Sequence, residues 1–471
     1  MYGMNYKHKS GYLLVLVLVF GAIFFTMVTA FMGYVITQTH VTQSKYNKEQ
    51  ALNIAEAGLD YYKWFLAHYP NDITNGTATS GPYIHTYSDP EGGLIGEFSL
   101  AIASSSACGT VYAIDITSTG YTYEHPNVSR TVYGRYARPT VSEYAYIINS
   151  NVWAGSDRTI IGPYHSNGAI RMDGTNLSTV TSGQESWVCD SSTMPCTPGA
   201  NGSTVDGVYG DGPNSMFWSY PAPPINFTGL TVDLAAMQDK AQNRGGHYIG
   251  PSGKAGYHII FKSNGTFDVR RVNSKENEPN GYAWGRYMNI LKGTTLIGNY
   301  PIPTGCAVIY VEDQVWLEGV VKGRVTIAAA DIDTSGVDPS IILNNNITYA
   351  NATSGLLAIA EKDILIGLVV PDDMVLNGIF IAQNGHFGRN HYDTTMPNAW
   401  EEYIKRNSLV LNGTIVSNGR EGTKWVSTTG VYTSGFNTRF NSYDRSLVSD
   451  PPPLTPEVSS TYKFIEWRDS N

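Results

Sequence analysis

The sequence predicts an α+β chain: a long N-terminal helix, a small antiparallel sheet, and a large, mostly β region read as a right-handed parallel β-helix. Three observations carry this reading. Residues 12–68 contain no proline and pass from an uncharged apolar run to an amphipathic pattern. Residues 93–139 hold short apolar runs separated by Gly, Ser and Asn. From about 141 to 450, short strand-like phrases recur with almost no helical periodicity, as in a solenoid.

Composition sets the outer bounds. The 471 residues are 42% hydrophobic and 15% charged, with a net charge of −9. Global disorder is excluded, and so is a basic nucleic-acid binder, because nothing would neutralise a row of phosphates. The 48 glycines fit a turn-rich β chain. The four cysteines form no CxxC pair, which disfavours a zinc ribbon or a thioredoxin-like site. Cys189 and Cys196 bracket a short loop. They pair in an exported chain and stay reduced in a cytosolic one. The pairing of Cys108 and Cys306 is left open.

The helix is justified first. Lys7 and Lys9 precede a stretch from Tyr12 to Ile36 that holds no charged residue. Such a run exceeds the roughly 20 residues that cross a bilayer as a helix. The basic flank places the N-terminus in the cytoplasm and the remainder outside. Two plain alternatives remain at this point. One is a signal anchor. The other is a signal peptide cut after Val28-Thr29-Ala30, although the apolar run continues past it. Then Ala51, Ile54, Ala55, Gly58, Leu59, Tyr62, Phe65 and Leu66 form one helical stripe, and Pro70 ends the segment. A continuous helix over 12–68 would be roughly 85 Å long, with 12–36 suited to lipid and the rest to a sheet.

A short basic leader ending in Gly11, a long apolar helix and an amphipathic half resemble type IV pilins and pseudopilins. The phrase Ala51-Leu52-Asn53-Ile54-Ala55-Glu56-Ala57-Gly58-Leu59 resembles the matching segment of PilX-type minor pilins. The resemblance implies a leader over 1–11, cleavage after Gly11 by prepilin peptidase, and N-methylation of Tyr12. It also implies other pilin subunits as partners. Major pilins carry Glu at the fifth mature position, where this chain has Leu16. That departure resembles the K-type pseudopilin and implies a place at the fibre tip.

The small sheet is assigned to 69–138, from GLIGEFSLAIASSS, VYAIDITSTGYTY and SRTVYGRYARP. Asp115-Ile116-Thr117-Ser118-Thr119-Gly120 resembles pilin strand text. A linker at 137–142 opens the β-helix-like region, 139–450. Val375-Leu376-Asn377-Gly378 and Val410-Leu411-Asn412-Gly413 are copies, and residues 161–170, 315–329 and 356–370 are looser ones. Asn and Gly suit sharp corners. A β-sandwich with hairpins at the Asn-Gly pairs is the alternative. One short helix is expected over 232–243. The stretches 162–168 and 310–323 resemble a domain found behind PilX-like N-termini in bacterial surface proteins. Residues 451–471 form a proline-rich tail.

Residues with chemistry are sparse. Asp331, Asp333 and Asp338, with Asp372 and Asp373, are candidate glycosidase carboxylates; the first three could also form a calcium loop and are read as a solvated turn. His165, His386 and His391 read as structural or loop histidines. Trp153, Trp187, Trp218 and Trp284 suit sugar stacking or coil ends. Nine Asn-x-Ser/Thr triplets, Asn75 and Asn176 among them, are weak glycosylation signals in so Asn-rich a chain. No GxSxG, HExxH or Walker motif is present. The expectation is no enzyme, no catalytic residue, no metal and no cofactor. The chain is read as a pilin-like subunit, single-pass in the cytoplasmic membrane with its C-terminal domain exported to a fibre or the cell surface. It would present the β region to a surface or carbohydrate ligand, without nucleic acid. An anchored carbohydrate-active enzyme and a static surface scaffold are the rivals.

Overall fold

A computed structural model describes residues 11–470 apart from 192–193, 228–233, 277–289, 333–337, 393–397 and 428–429. It divides into two compact units. The first takes the residues up to Ser104, then Ile114–Tyr136, then those from Phe464 on; the second takes Ser105–Ala113 and Ala137–Lys463.

In the first unit, α1 (Gly11–His68) runs unbroken for 58 residues. Proline-free sequence keeps every backbone N–H available to the helix, and Pro70 stops it. Its N-terminal half is exposed: Leu13 is 73% and Phe25 72% accessible. The C-terminal half buries the expected stripe, from Ala51 to Leu66, together with Asn47. The stripe lies on a sheet of β1 (Tyr83–Ser88), β2 (Leu94–Ala107), β3 (Thr110–Thr122) and β4 (Ser129–Ala137). The strands are ordered β1–β2–β3–β4, and the C-terminal strand Lys463–Ser470 is added beside β4. β1 and β2 are antiparallel, with Tyr83 opposite Leu100. Cys108 and Gly109, both at positive φ, make the tight turn from β2 to β3.

Glycine permits the close approach of helix and sheet. A Cβ on Gly120 would lie 2.4 Å from the Ala55 nitrogen and 2.5 Å from the Ala51 oxygen. Tyr136 donates its hydroxyl to the Leu59 carbonyl at 3.0 Å. Buried Ile54, Leu59 and Leu66 each contribute about 2 kcal/mol by leaving water.

Residues 451–471 do not stand apart as a tail. Pro451–Pro453 are buried in the second unit, where the Pro453 carbonyl accepts from Thr326. The strand Lys463–Ser470 belongs to the first unit's sheet, with Phe464 edge-on to Tyr136 and Asp469 paired to Arg130.

The second unit is built of short parallel ladders in three columns. The first column stacks His247–Ile249, Val308–Val311, Arg324–Ala329 and Gly355–Ala360 in turn. It continues through the second halves of Asp373–Ala382 and Lys405–Ser417. The second column holds Tyr257–Lys262, Val315–Val321, Ile341–Tyr349, Ile364–Ile366 and Phe387–Gly388. The third stacks the first halves of Asp373–Ala382 and Lys405–Ser417 on Tyr432–Ser442, Arg158–Ile161 and Thr175–Asn176.

The two Val-Leu-Asn-Gly copies lie in direct register, Asn377 beside Asn412 and Gly378 beside Gly413. They form a corner where one strand leaves the third column for the first. Gly413 has φ 144°, and a Cβ there would meet the Gly378 oxygen at 1.8 Å, so only glycine fits. Column order departs from chain order. Tyr146–Ile148, the first strand after Ala137, pairs with Ile415–Ser417, and Tyr164–Ser166, Val180–Ser182 and Trp218–Ser219 follow outward.

First-column strands are apolar on both faces. One face joins the core of Leu356, Ala358 and Phe380. The other, with Ala328, Ile359 and Tyr310, joins a second cluster that includes Leu234 and Met237 of the helix Leu234–Asn243, which packs on His247–Ile249 and Val308–Val311. That is why these strands read as continuous apolar runs instead of alternating ones. The Cys108–Cys306 disulfide lies in the same cluster.

Candidate functional site

Two features have the chemistry of a site. The first is the exposed half of α1. Tyr12 begins it at 84% exposure and Leu16 is 57% exposed. Gly11 is the first described residue of the helix, while Lys7 and Lys9 lie outside the described residues. The segment is long and apolar enough to cross a membrane, and none of it is buried in the protein. Beyond it, residues 37–46 are polar apart from Val41 and Tyr46, and all are exposed.

The second feature is a cavity of about 280 Å³ in the second unit. Four separated segments wall it. Trp153 comes from the strand Val152–Ala154 and Asp157 from the turn that leads from it to Arg158–Ile161. Arg420, Lys424 and Trp425 follow the strand Lys405–Ser417. Arg439 projects from Tyr432–Ser442. Met194 and Pro195, from the loop closed by the Cys189–Cys196 disulfide, complete the wall.

The cavity floor is an ion network. Arg158 grips Glu421 with two hydrogen bonds, Nη1 to Oε2 at 3.0 Å and Nη2 to Oε1 at 2.6 Å, and both side chains are 1% exposed. Arg439 clasps Asp157 through Nε at 3.2 Å and Nη2 at 3.0 Å. Lys424 reaches the same carboxylate at 3.3 Å. Burial pushes Glu421 up, but Arg158 outweighs it and holds the carboxyl below the usual glutamate range. Asp157 is held low in the same way by Arg439 and Lys424, against its burial. Burial lowers Arg439 and Arg420, and the Arg158 charge lowers Arg439 further. Gly155 leaves room for this packing, since a Cβ there would sit 3.0 Å from Asp157 Oδ1.

None of the carboxylates singled out in the sequence lines this cavity, and the described Asp331 and Asp338 lie near Glu361 instead. Asp373 accepts from Asn407 and Ser408 of the next strand, and Asp372 accepts from the Asn407 backbone at 3.0 Å. They tie one strand start to its neighbour. Glu361 accepts from the Asp331 backbone at 2.7 Å, and burial raises its pKa. Asp333 lies outside the described residues. Among the described residues, no group of three His, Cys, Asp or Glu side chains is placed to hold a metal.

His165 is buried between Thr181 Oγ1 at 2.8 Å and Asn167 Oδ1 at 2.9 Å, and burial lowers its pKa. Asn167 in turn donates to Asn149, and Asn149 to Asn418, forming a ladder across neighbouring strands. His386 lies 3.3 Å from Asp363, and His391 lies 3.3 Å from Thr433 Oγ1. Trp187 stacks on Tyr209, and Trp218 packs against the core. Trp284 lies outside the described residues. Asn75 and Asn176 are buried, so these two triplets are turn chemistry.

Sequence reasoning found Trp153 but missed its partners. The available signal was charge: Asp157-Arg158, Arg420-Glu421 and Lys424 stand out in a region with few ions.

No family model matches the chain. No curated protein matches it either. Among solved structures, the chain is similar to the crystal structure of the competence-associated pilin ComZ from Thermus thermophilus. The two are 14% identical, the match covers 90% of this chain and 98% of that one, and the TM-score is 0.32. A likeness of that size carries no family assignment, and the functional reading rests on this chain's own residues.

Proposed function

We propose that this chain is a pilin-like subunit, a minor pilin or pseudopilin, of a type IV pilus-like fibre. The observation that carries it is α1. One helix is uncharged and exposed over 12–36 and lies on a meander sheet over 51–66. The first half suits lipid before assembly and a bundle of like helices after it, since both offer apolar surroundings without backbone partners. In this reading prepilin peptidase cuts after Gly11 and leaves Tyr12 as the methylated N-terminus. Leu16 supplies no carboxylate for a neighbour's amine, which suits a tip position.

The second unit is, in this proposal, a parallel β-helix of the kind that follows PilX-like N-termini. Its stacked parallel ladders and the corner at Gly378 and Gly413 support that assignment. It would be exported and serve adhesion, and the two disulfides fit an oxidising compartment. Binding suits the cavity better than hydrolysis. A glycosidase needs a protonated carboxyl beside an ionised one, whereas Asp157 and Glu421 are both held ionised.

The test is the mature N-terminus and mass of the protein from membranes and from sheared surface fibres. A chain that starts at methylated Tyr12 and appears in the fibre fraction supports the proposal. A start at Met1, or at Phe31 after signal-peptide cleavage, refutes it.

A further inference from the structure

We propose that the cavity between Trp153, Arg420, Trp425 and Arg439 is a binding site for an acidic sugar, a pyranose that carries a carboxylate. The inference gives the adhesion reading its ligand class and rests on that reading for its biological setting only.

Charge is the first argument. Asp157 is shared by two cations, Arg439 and Lys424. Glu421 is taken by Arg158 through both oxygens, and Arg420 adds a further cation to the wall. Three cations, Arg420, Lys424 and Arg439, therefore line the cavity beside two carboxylates, in a chain whose net charge is −9. Arg439 is 8% exposed, so water screens this excess poorly. An entering anion relieves it, and a guanidinium offers a carboxylate a planar fork of donors.

Shape and polarity are the second argument. Trp153 and Trp425 line the same space as the cations. Their indole N–H groups are already committed, Trp153 to Asp173 and Trp425 to the Arg389 carbonyl. Arg171 covers one face of Trp153, and what each ring turns to the cavity is its remaining apolar area rather than a donor. An inorganic anion would leave that area unused, whereas a sugar acid presents a carboxylate and a ring face together. The volume, about 280 Å³, falls just below the roughly 300–1,000 Å³ of drug-sized pockets. That suits one sugar unit at the end of a chain.

The test uses the full-length protein in detergent, titrated by calorimetry and by tryptophan fluorescence. The probes are galacturonate, N-acetylneuraminate, galactose, acetate and inorganic phosphate. At least one sugar acid is expected to bind ten-fold or more tightly than galactose and acetate, and more weakly as salt rises. Arg420→Gln and Lys424→Gln are each expected to weaken it at least ten-fold, a loss larger than any change in melting temperature accounts for. If a variant melts early, the wild-type fluorescence titration decides, because binding beside Trp153 and Trp425 must change their emission. Equal binding of galactose overturns the charge argument. Equal binding of acetate or phosphate reduces the site to a general anion hole and overturns the sugar assignment. No binding of any sugar acid overturns the proposal outright. None of these results bears on the Tyr12 start, so the two readings fail separately.

Discussion

Gly120→Ala tests how the helix is held. The new Cβ would stand 2.4 Å from the Ala55 nitrogen and 2.5 Å from the Ala51 oxygen, and 2.9 Å from the Ile54 carbonyl carbon. Ordinary contact lies at about 3.5 Å or beyond, so α1 must retreat by roughly 1 Å over its stripe. The obstruction is helix backbone, which has no rotamer to yield. The cost belongs at the upper end of the 1–3 kcal/mol of overpacking, about 2 kcal/mol or more. Gly134→Ala is the graded control. Its Cβ meets the Phe464 and Leu59 side chains at 2.8 and 3.1 Å, and side chains can turn aside, so the cost stays below about 1.5 kcal/mol. Amide hydrogen exchange of the full chain in detergent, read on peptides covering 51–66, reports this directly. A loss of 2 kcal/mol opens those amides about 30-fold more often, while strands of the second unit keep their protection. Unchanged exchange over 51–66 in Gly120→Ala would refute the packing described here.

Three further predictions follow from the second unit. Glu421→Gln leaves Arg158 buried without its counter-ion and should cost about 3–5 kcal/mol in thermal or urea unfolding; an unchanged midpoint would show that the pair is solvated. Glu421 is held low in the fold, so its contribution is complete above the usual glutamate range and is lost as pH falls through the lowered value. Melting temperature should drop there in the wild type and less in Glu421→Gln. His165 is also lowered, by burial. Stability should therefore begin to fall once pH drops below about 6.5, where the unfolded histidine takes up its proton, and His165→Gln should flatten that part of the profile. Cys306→Ser opens a cross-link spanning 198 residues, worth about 5 kcal/mol in the chain-entropy account; a melting temperature insensitive to this change and to reductant would contradict it.

What the sequence discloses follows how local each signal is. The stripe from Ala51 to Leu66 was legible because a helix repeats every few residues. The Val-Leu-Asn-Gly copies were legible because equal text stacks in equal register. The helix expected over 232–243 is described from Leu234 to Asn243. The cavity was not legible, since Trp153, Lys424 and Arg439 come from three segments that only the column order brings together. The partner of Cys306 was equally hidden, because Cys108 sits on a turn 198 residues away. The C-terminal strand could not be assigned to either unit from a proline-rich approach and a short apolar phrase.

The inverted column order has a consequence in time. Strand Tyr146–Ile148 is made early, yet its neighbour on one side is Ile415–Ser417. The Asn149–Asn418 bond across that joint spans 269 residues. At the 5–20 residues per second of synthesis, the early strand waits roughly 15 to 50 s for its neighbour. Until then its backbone edge is open to any passing strand. The late coils act as the keystone of an arch whose first stones have stood unsupported. A chain truncated after residue 400 should therefore lose its earliest coils along with its last, and aggregation should begin at 146–148 and not at the cut.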